Sequence, residues 1–173
     1  MLATLITRFS QLLFGACVLG LSIAAVKWQV FGSPPATSKY NAFAGACGLL
    51  VSLTGIAAVF IDAIPAIVMA GIDALASIFF LAGGIAVAVG LSGVHCGMSE
   101  AELSNESQNF LINGGKYHGG YGIGSESDLV GRCRQMEADA AFLFLGFVAS
   151  AAAAALCYVG SRRGSGGLKH SAV

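Results

Sequence analysis

The sequence predicts an all-α integral membrane protein whose four helices form a transmembrane bundle. Of its 173 residues, 56% are hydrophobic and only 10% are charged, whereas about 25% of the residues in a typical soluble domain are charged. Four stretches are apolar over the length of about 20 residues that a helix needs to cross a bilayer core about 30 Å thick. Because lipid cannot satisfy open backbone groups, we expect each stretch to be a continuous helix.

The predicted spans cover residues 10–29, 41–61, 66–94 and 139–160. Pro34 and Pro35 lie in the short loop after the first span, and Pro65 lies in the tight turn before the third. Arg162 and Arg163 end the fourth span. The N-terminal span has no clear cleavage site after it and is interpreted as a retained signal anchor.

These spans give one domain followed by a short tail. The transmembrane domain covers residues 1–160, and its long second loop covers 95–138. The last segment, 161–173, is predicted to be a cytoplasmic tail.

Composition and charge exclude several classes of function. The nine basic and nine acidic residues give a formal net charge of zero, so the sequence lacks the basic surface that nucleic-acid binding requires. No serine elbow, metal-binding histidine pair or set of convergent carboxylates marks the spans, so we expect no enzyme activity and no metal. The expected partners are membrane lipids and further copies of the chain, with no cofactor beyond bound lipid.

The long loop decides the orientation of the chain, because Lys and Arg flank both membrane faces. Arg8, Arg162, Arg163 and Lys169 are predicted to flank one face, and Lys27, Lys39, Lys116, Arg132 and Arg134 the other. It contains the sequon Asn105, Glu106, Ser107 and is bracketed by Cys96 and Cys133. Glycans and disulfides form on the extracellular or lumenal side. We therefore expect an extracellular loop, a possible glycan on Asn105, and both termini in the cytoplasm.

Cys96 and Cys133 lie just outside the third and fourth predicted spans. A disulfide between them would close the base of the loop, and it is the predicted arrangement. The alternatives are two free thiols, or a zinc site that adds His95 and His118, although that spacing fits no standard ligand pattern.

Asp73 is the charged residue with the most apolar flanks, and an acidic group inside a membrane is a functional candidate by default. A proton or cation relay would need several such groups, yet Asp62, Glu137 and Asp139 each lie near an expected helix end. We predict a capping or inter-helix hydrogen bond for Asp73 near the cytoplasmic boundary, with a transport role as the alternative.

Three further side chains are candidate sites of lipid contact or lipid attachment. Arg132 and Arg134 precede the last span and are candidates for contact with lipid headgroups, or else form a solvated, snorkelling helix start. Cys157 lies near the cytoplasmic end of that span and is a candidate for palmitoylation. The glycine-rich segment 114–122 lacks the residue order of a phosphate-binding loop and is predicted to be a flexible loop.

Several blocks of residues, spread over all four predicted spans, carry a family resemblance. They are the opening Met1 and Leu2, the segment 73–82, the stretch 86–90 that leads to His95 and Cys96, and Arg132, Cys133, Arg134 and Gln135 followed by 140–143. Together with the order of spans and loops, they resemble MARVEL-type tetraspan proteins, and more specifically the fungal non-classical export proteins associated with eisosomes.

The resemblance implies a MARVEL-like organiser of furrow-like plasma-membrane microdomains. It also implies a link to sphingolipid status, recruitment of cytoplasmic eisosome scaffold proteins and a role in non-classical protein export. We expect lateral association through closely packed helices, with small residues at Gly83, Gly84, Gly90, Ala151 and Ala155 permitting the close approach. The alternative function is a small oligomeric channel or transporter that uses Asp73.

Overall fold

The computed structural model describes residues 2–60, 64–96, 107–123 and 125–167. Four of its helices are long and apolar enough to cross a membrane, which confirms the predicted transmembrane bundle. The helices are α1 (Leu2–Lys27), α2 (Ala36–Phe60), α3 (Ala66–Gly90) and α4 (Glu126–Gly167). A two-stranded hairpin, β1 (Lys116–Tyr117) and β2 (Gly120–Tyr121), lies in the loop between α3 and α4.

Two helices begin well before their predicted starts. α1 begins at Leu2 rather than at residue 10, because Arg8 turns into the bundle instead of stopping the helix at its surface. α4 begins at Glu126 rather than at residue 139. Its polar first turns are stabilised by Leu129, Cys133 and Met136, which are buried at helical spacing.

The remaining helix boundaries also differ from the predictions. α2 begins at Ala36, immediately after the two prolines of the first loop. α3 ends at Gly90 rather than at residue 94, and Gly93, with φ of 78°, turns the chain just beyond it. α4 continues to Gly167, so residues 161–167 of the predicted tail are helical, and residues 168–173 lie outside the described chain.

The helices follow one another around the bundle. α1 packs against α2 and α4, and α3 packs against α4 and α2. The α1 and α2 backbones meet at glycines: a Cβ atom on Gly45 would lie 2.6 Å from the Leu19 nitrogen, and one on Gly15 would lie 3.1 Å from the Leu49 nitrogen. Contact this close requires residues without a side chain.

Residues 107–123 of the long loop lie against one end of the bundle, and the segment 114–122 contains a hairpin, whereas a flexible loop was predicted there. Its hairpin turns at His118 and Gly119, whose φ values of 44° and 86° are both positive, as a tight two-residue turn requires. The Gly114 carbonyl accepts hydrogen bonds from the backbone nitrogens of Val30 and Phe31 at 2.9 and 3.1 Å. The first loop and the long loop therefore form one layer.

Candidate functional site

A buried ion pair joins α1 to α3 inside the bundle. Arg8 donates through Nη1 to Oδ1 of Asp73 at 2.5 Å and through Nη2 to Oδ2 at 2.7 Å. The Asp73 residue is completely buried, and Arg8 is only 1% exposed. Two parallel hydrogen bonds between a guanidinium and a carboxylate are a strong arrangement, and each charge neutralises the other away from water.

Side chains from α1 and α4 complete this cluster. Gln11 donates to Oδ1 of Asp73 at 3.1 Å and to the Ser150 hydroxyl at 3.3 Å, and its own Oε1 accepts from Arg8 at 2.9 Å. The Cys157 sulfur lies 3.3 Å from Nη2 of Arg8. We name Arg8, Gln11, Asp73, Ser150 and Cys157 the terminal-side cluster, because it lies toward the chain ends.

The terminal-side cluster changes two interpretations of the sequence. Arg8 was expected to flank the membrane, but it lies inside the bundle because Asp73 supplies the counter-charge there. The Asp73 carboxylate makes inter-helix hydrogen bonds, one of the two roles predicted for it, and three of those bonds come from α1.

A cavity of about 260 Å³ lies beside this cluster. Its lining includes Thr4, Arg8, Gly55 and Cys157, and its other residues are apolar. Among the described residues, Nε of Arg8 has no hydrogen-bond partner. The Arg8 guanidinium lies against Gly55, and there is room for it there because glycine has no side chain.

A second polar cluster lies nearer the loop end and joins three helices. Asp139 on α4 accepts a hydrogen bond from Asn41 on α2 at 3.1 Å and from the Ser22 hydroxyl on α1 at 3.2 Å. All three residues are at most 1% exposed. We name this group the loop-side cluster.

The sequence interpretation placed Asp139 at a helix end and missed this cluster. The available signal was Ser22, a polar residue inside the apolar run of the first span, and Asn41, a polar residue at the start of the second predicted span. On α1, the buried residues Arg8, Gln11, Gly15, Val18, Ser22 and Ala25 recur at helical spacing. A polar stripe on an apolar helix therefore marks the face that turns inward.

An apolar layer separates the two clusters. The Phe80 side chain is 1% exposed and lies against Gly48 on α2 and Gly146 on α4. On α2, Gly48 lies between Asn41 and Gly55. On α4, Gly146 lies between Asp139 and Ser150. Phe80 therefore lies between the levels of the two polar clusters, in the middle of the bundle. Leu143, which is fully buried and lies against Gly83, adds apolar packing on the loop side of Phe80. The polar groups at the two ends are thus not continuous with each other.

The predicted disulfide between Cys96 and Cys133 is confirmed, with Cα atoms 5.6 Å apart. It excludes the zinc alternative, because both sulfurs are used. Among the residues that the structure describes, no group of three or more His, Cys, Asp or Glu side chains is arranged to hold a metal ion.

The two arginines that were predicted to contact lipid headgroups differ in burial. Arg132 donates through Nη1 to the carbonyls of Ile112 and Gly122 and lies over the Trp28 ring, so it is partly buried. Arg134 is exposed. Headgroup contact by either arginine stays a prediction.

The structure describes one of the two predicted modification sites, Cys157, and not the other. Cys157 is a partly buried free thiol turned toward Arg8, so its palmitoylation stays a prediction. Cys17 and Cys47 are also free and partly buried. Asn105 lies outside the described residues.

The glycines expected to permit close helix contact pack within the chain itself. A Cβ on Gly83 would meet Asn41 and Leu143, and one on Gly84 would meet Phe144. Gly90 faces Leu111 of the long loop. In the fourth span, Ala151 is partly buried and Ala155 is exposed, so only the latter faces fully outward.

Comparison with known proteins yields one family. A family model described as MARVEL, a membrane-associating domain, matches residues 1–156. The matched region includes α1, α2, α3 and most of α4, with both polar clusters apart from Cys157. No curated protein and no solved structure matches the chain.

Proposed function

Because this chain belongs to the family of membrane-associating MARVEL domains, we propose that it organises microdomains of the plasma membrane. It does so by lateral association with further copies of itself and by binding lipids along its outer surface. The protein is a structural membrane component rather than an enzyme, and it takes no cofactor beyond bound lipid.

One observation carries this proposal: the charged side chains buried in the spans are hydrogen-bonded inside the bundle, while large apolar side chains cover its outer surface. Arg8, Asp73 and Asp139 are buried and hydrogen-bonded. Large exposed apolar side chains come from every helix, among them Leu13, Leu50, Ile78 and Val148. In a bilayer this outer surface contacts lipids or other proteins, so it supports a role in lateral association.

The orientation that we propose has both termini in the cytoplasm and the long loop outside the cell. The Cys96–Cys133 disulfide supports it, because such bonds persist in oxidising compartments. A glycan on Asn105 would lie on the same side.

In its finer form, the proposal follows the family resemblance in the sequence. The microdomains are eisosome-associated and furrow-like, they respond to sphingolipid status, and the cytoplasmic partners are eisosome scaffold proteins. A role in non-classical protein export would follow indirectly from this organisation. Nucleic acid is not a partner.

The alternative of a channel that uses Asp73 has less support. The Asp73 carboxylate is paired with Arg8 and receives a further hydrogen bond from Gln11. Phe80 fills the layer between the two polar clusters. A path past Asp73 would require both features to rearrange.

The distribution of the full chain in a living fungal plasma membrane tests the proposal. We expect a fluorescently tagged chain to form stable patches that disperse when sphingolipid synthesis is inhibited. A Cys157→Ser variant separates association through the bundle from attachment through an acyl chain, and we expect its patches to be unchanged. A uniform distribution with and without the inhibitor would contradict the proposal.

A further inference from the structure

A polar groove of about 350 Å³ lies between the end of α1 and the start of α4. Its lining residues are Trp28, Ser127, Asp128, Gly131, Arg132 and Gln135. Trp28 directly follows α1, which is a candidate membrane span, and tryptophan is enriched where a span leaves the membrane. The groove therefore lies at the end of α1 where lipid headgroups meet aromatic and charged side chains.

Arg132 is held in this groove with part of its guanidinium unused. Nη1 donates to the Ile112 carbonyl at 3.3 Å and to the Gly122 carbonyl at 3.2 Å, and the guanidinium carbon lies 5.6 Å from the centre of the Trp28 ring. In the described part of the chain, Nε and Nη2 have no hydrogen-bond partner. A fixed guanidinium with free N–H groups suits a phosphate.

Asp128 supplies the opposite charge in the same groove. It lies one helical turn before Arg132, a spacing at which an aspartate and an arginine commonly form an ion pair. Across the described ranges the one ion pair is Arg8 with Asp73, so Asp128 and Arg132 are not joined. The Asp128 carboxylate is exposed and remains open to a cation.

We propose that this groove binds the headgroup of a zwitterionic phospholipid, with the phosphate at Arg132 and the ammonium group at Asp128. The inference rests on the proposed lipid binding and specifies the headgroup class. Two separated charges of opposite sign complement a zwitterion. Asp128 would repel a headgroup that carries only negative charge.

Native mass spectrometry of the full chain in detergent tests the groove. The probes are phosphatidylcholine and phosphatidylglycerol with identical acyl chains, so that only the headgroup differs. We expect wild-type protein to retain phosphatidylcholine preferentially. We expect Arg132→Gln to lower that retention at least about tenfold, the loss expected for one charge-assisted hydrogen bond.

Two further variants keep the test independent of folding. Asp128→Asn removes a charge on the exposed surface, and we expect it to abolish the preference for phosphatidylcholine over phosphatidylglycerol. Arg162→Gln is the matched control: the same charge is lost from the exposed surface of the same helix, outside the groove. We expect it to leave both lipids unaffected.

Three results would overturn the proposal. The first is equal retention of both lipids by the wild-type protein. The second is a preference that survives Asp128→Asn or that falls equally in Arg162→Gln. The third is tighter binding of soluble glycerophosphocholine than of the lipid, which would assign the groove to a soluble ligand. Patches that persist in the Asp128→Asn variant would show that microdomain organisation is independent of this groove.

Discussion

Arg8 on α1 and Asp73 on α3 form a bidentate ion pair across the bundle, although neither helix packs extensively against the other. Asn41 on α2 and Asp139 on α4 make a second connection across the bundle nearer the loop end. Hydrogen bonds thus connect both pairs of opposite helices, and others, such as that of Gln11 with Ser150, connect the adjacent helices α1 and α4. The polar residues of the spans therefore specify which helices stand opposite each other.

Removing one charge of the ion pair should destabilise the bundle strongly. Asp73→Ala leaves Arg8 buried without its counter-charge, and we expect the free energy of unfolding to fall by about 3–5 kcal/mol. Denaturant unfolding in mixed micelles measures the change. The double variant Arg8→Met with Asp73→Leu should lose less than the sum of the single changes, because no charge remains buried. Additive losses would show that the pair is not coupled.

Two glycines on α3 give a matched pair for testing the helix contacts. A Cβ on Gly83 would lie 2.6 Å from Oδ1 of Asn41, whereas one on Gly71 would meet nothing within 4 Å. We expect Gly83→Ala to lower the free energy of unfolding by about 1–3 kcal/mol through overpacking. The Gly71→Ala change should be neutral or should raise it by up to about 1 kcal/mol. Equal effects of the two changes on unfolding would refute the assigned packing.

The four spans could be predicted from the sequence because crossing lipid requires about 20 apolar residues in a helix. The Cys96–Cys133 pairing could be predicted because both residues bracket one loop. These features depend on the length of the apolar segments and on the order of residues along the chain, and both can be read directly from the sequence.

The polar interior could not be predicted in the same way, because a polar stripe marks the inward face of one helix but does not show which residue of another helix it meets. Arg8 resembled a membrane-flanking charge until Asp73 was seen to lie opposite it. Asp139 resembled a helix start, because the helical turns that precede it are polar and depend on packing against the loop. Both errors arose where tertiary contacts, rather than hydropathy, decide where a helix begins.

The disulfide should stabilise the chain by restricting the long loop when the protein unfolds. Cys96 and Cys133 are separated by 37 positions, and we expect Cys133→Ser to cost about 2–4 kcal/mol. Unfolding of oxidised wild-type protein and of the variant measures this loss. The Cys17→Ser variant, which replaces a free thiol, serves as the control for cysteine removal. If added reductant leaves the stability of the wild type unchanged, the bridge does not constrain the loop.

Ion flux through liposomes separates the structural role of Asp73 from a transport role. Because Phe80 closes the bundle between the polar clusters, we expect wild-type protein to give the flux of protein-free liposomes. An Asp73→Asn variant should give the same baseline. Flux through the wild type that disappears in Asp73→Asn would instead favour the channel alternative.

Lateral association in lipid is the central claim of the proposed function, and energy transfer between labelled copies measures it most directly. Full-length chains carrying donor or acceptor dyes at the C-terminus are reconstituted together in liposomes and diluted progressively with lipid. We expect the transfer efficiency to stay above the value for randomly distributed chains as the protein is diluted. An efficiency equal to the random value at every dilution would contradict the claim.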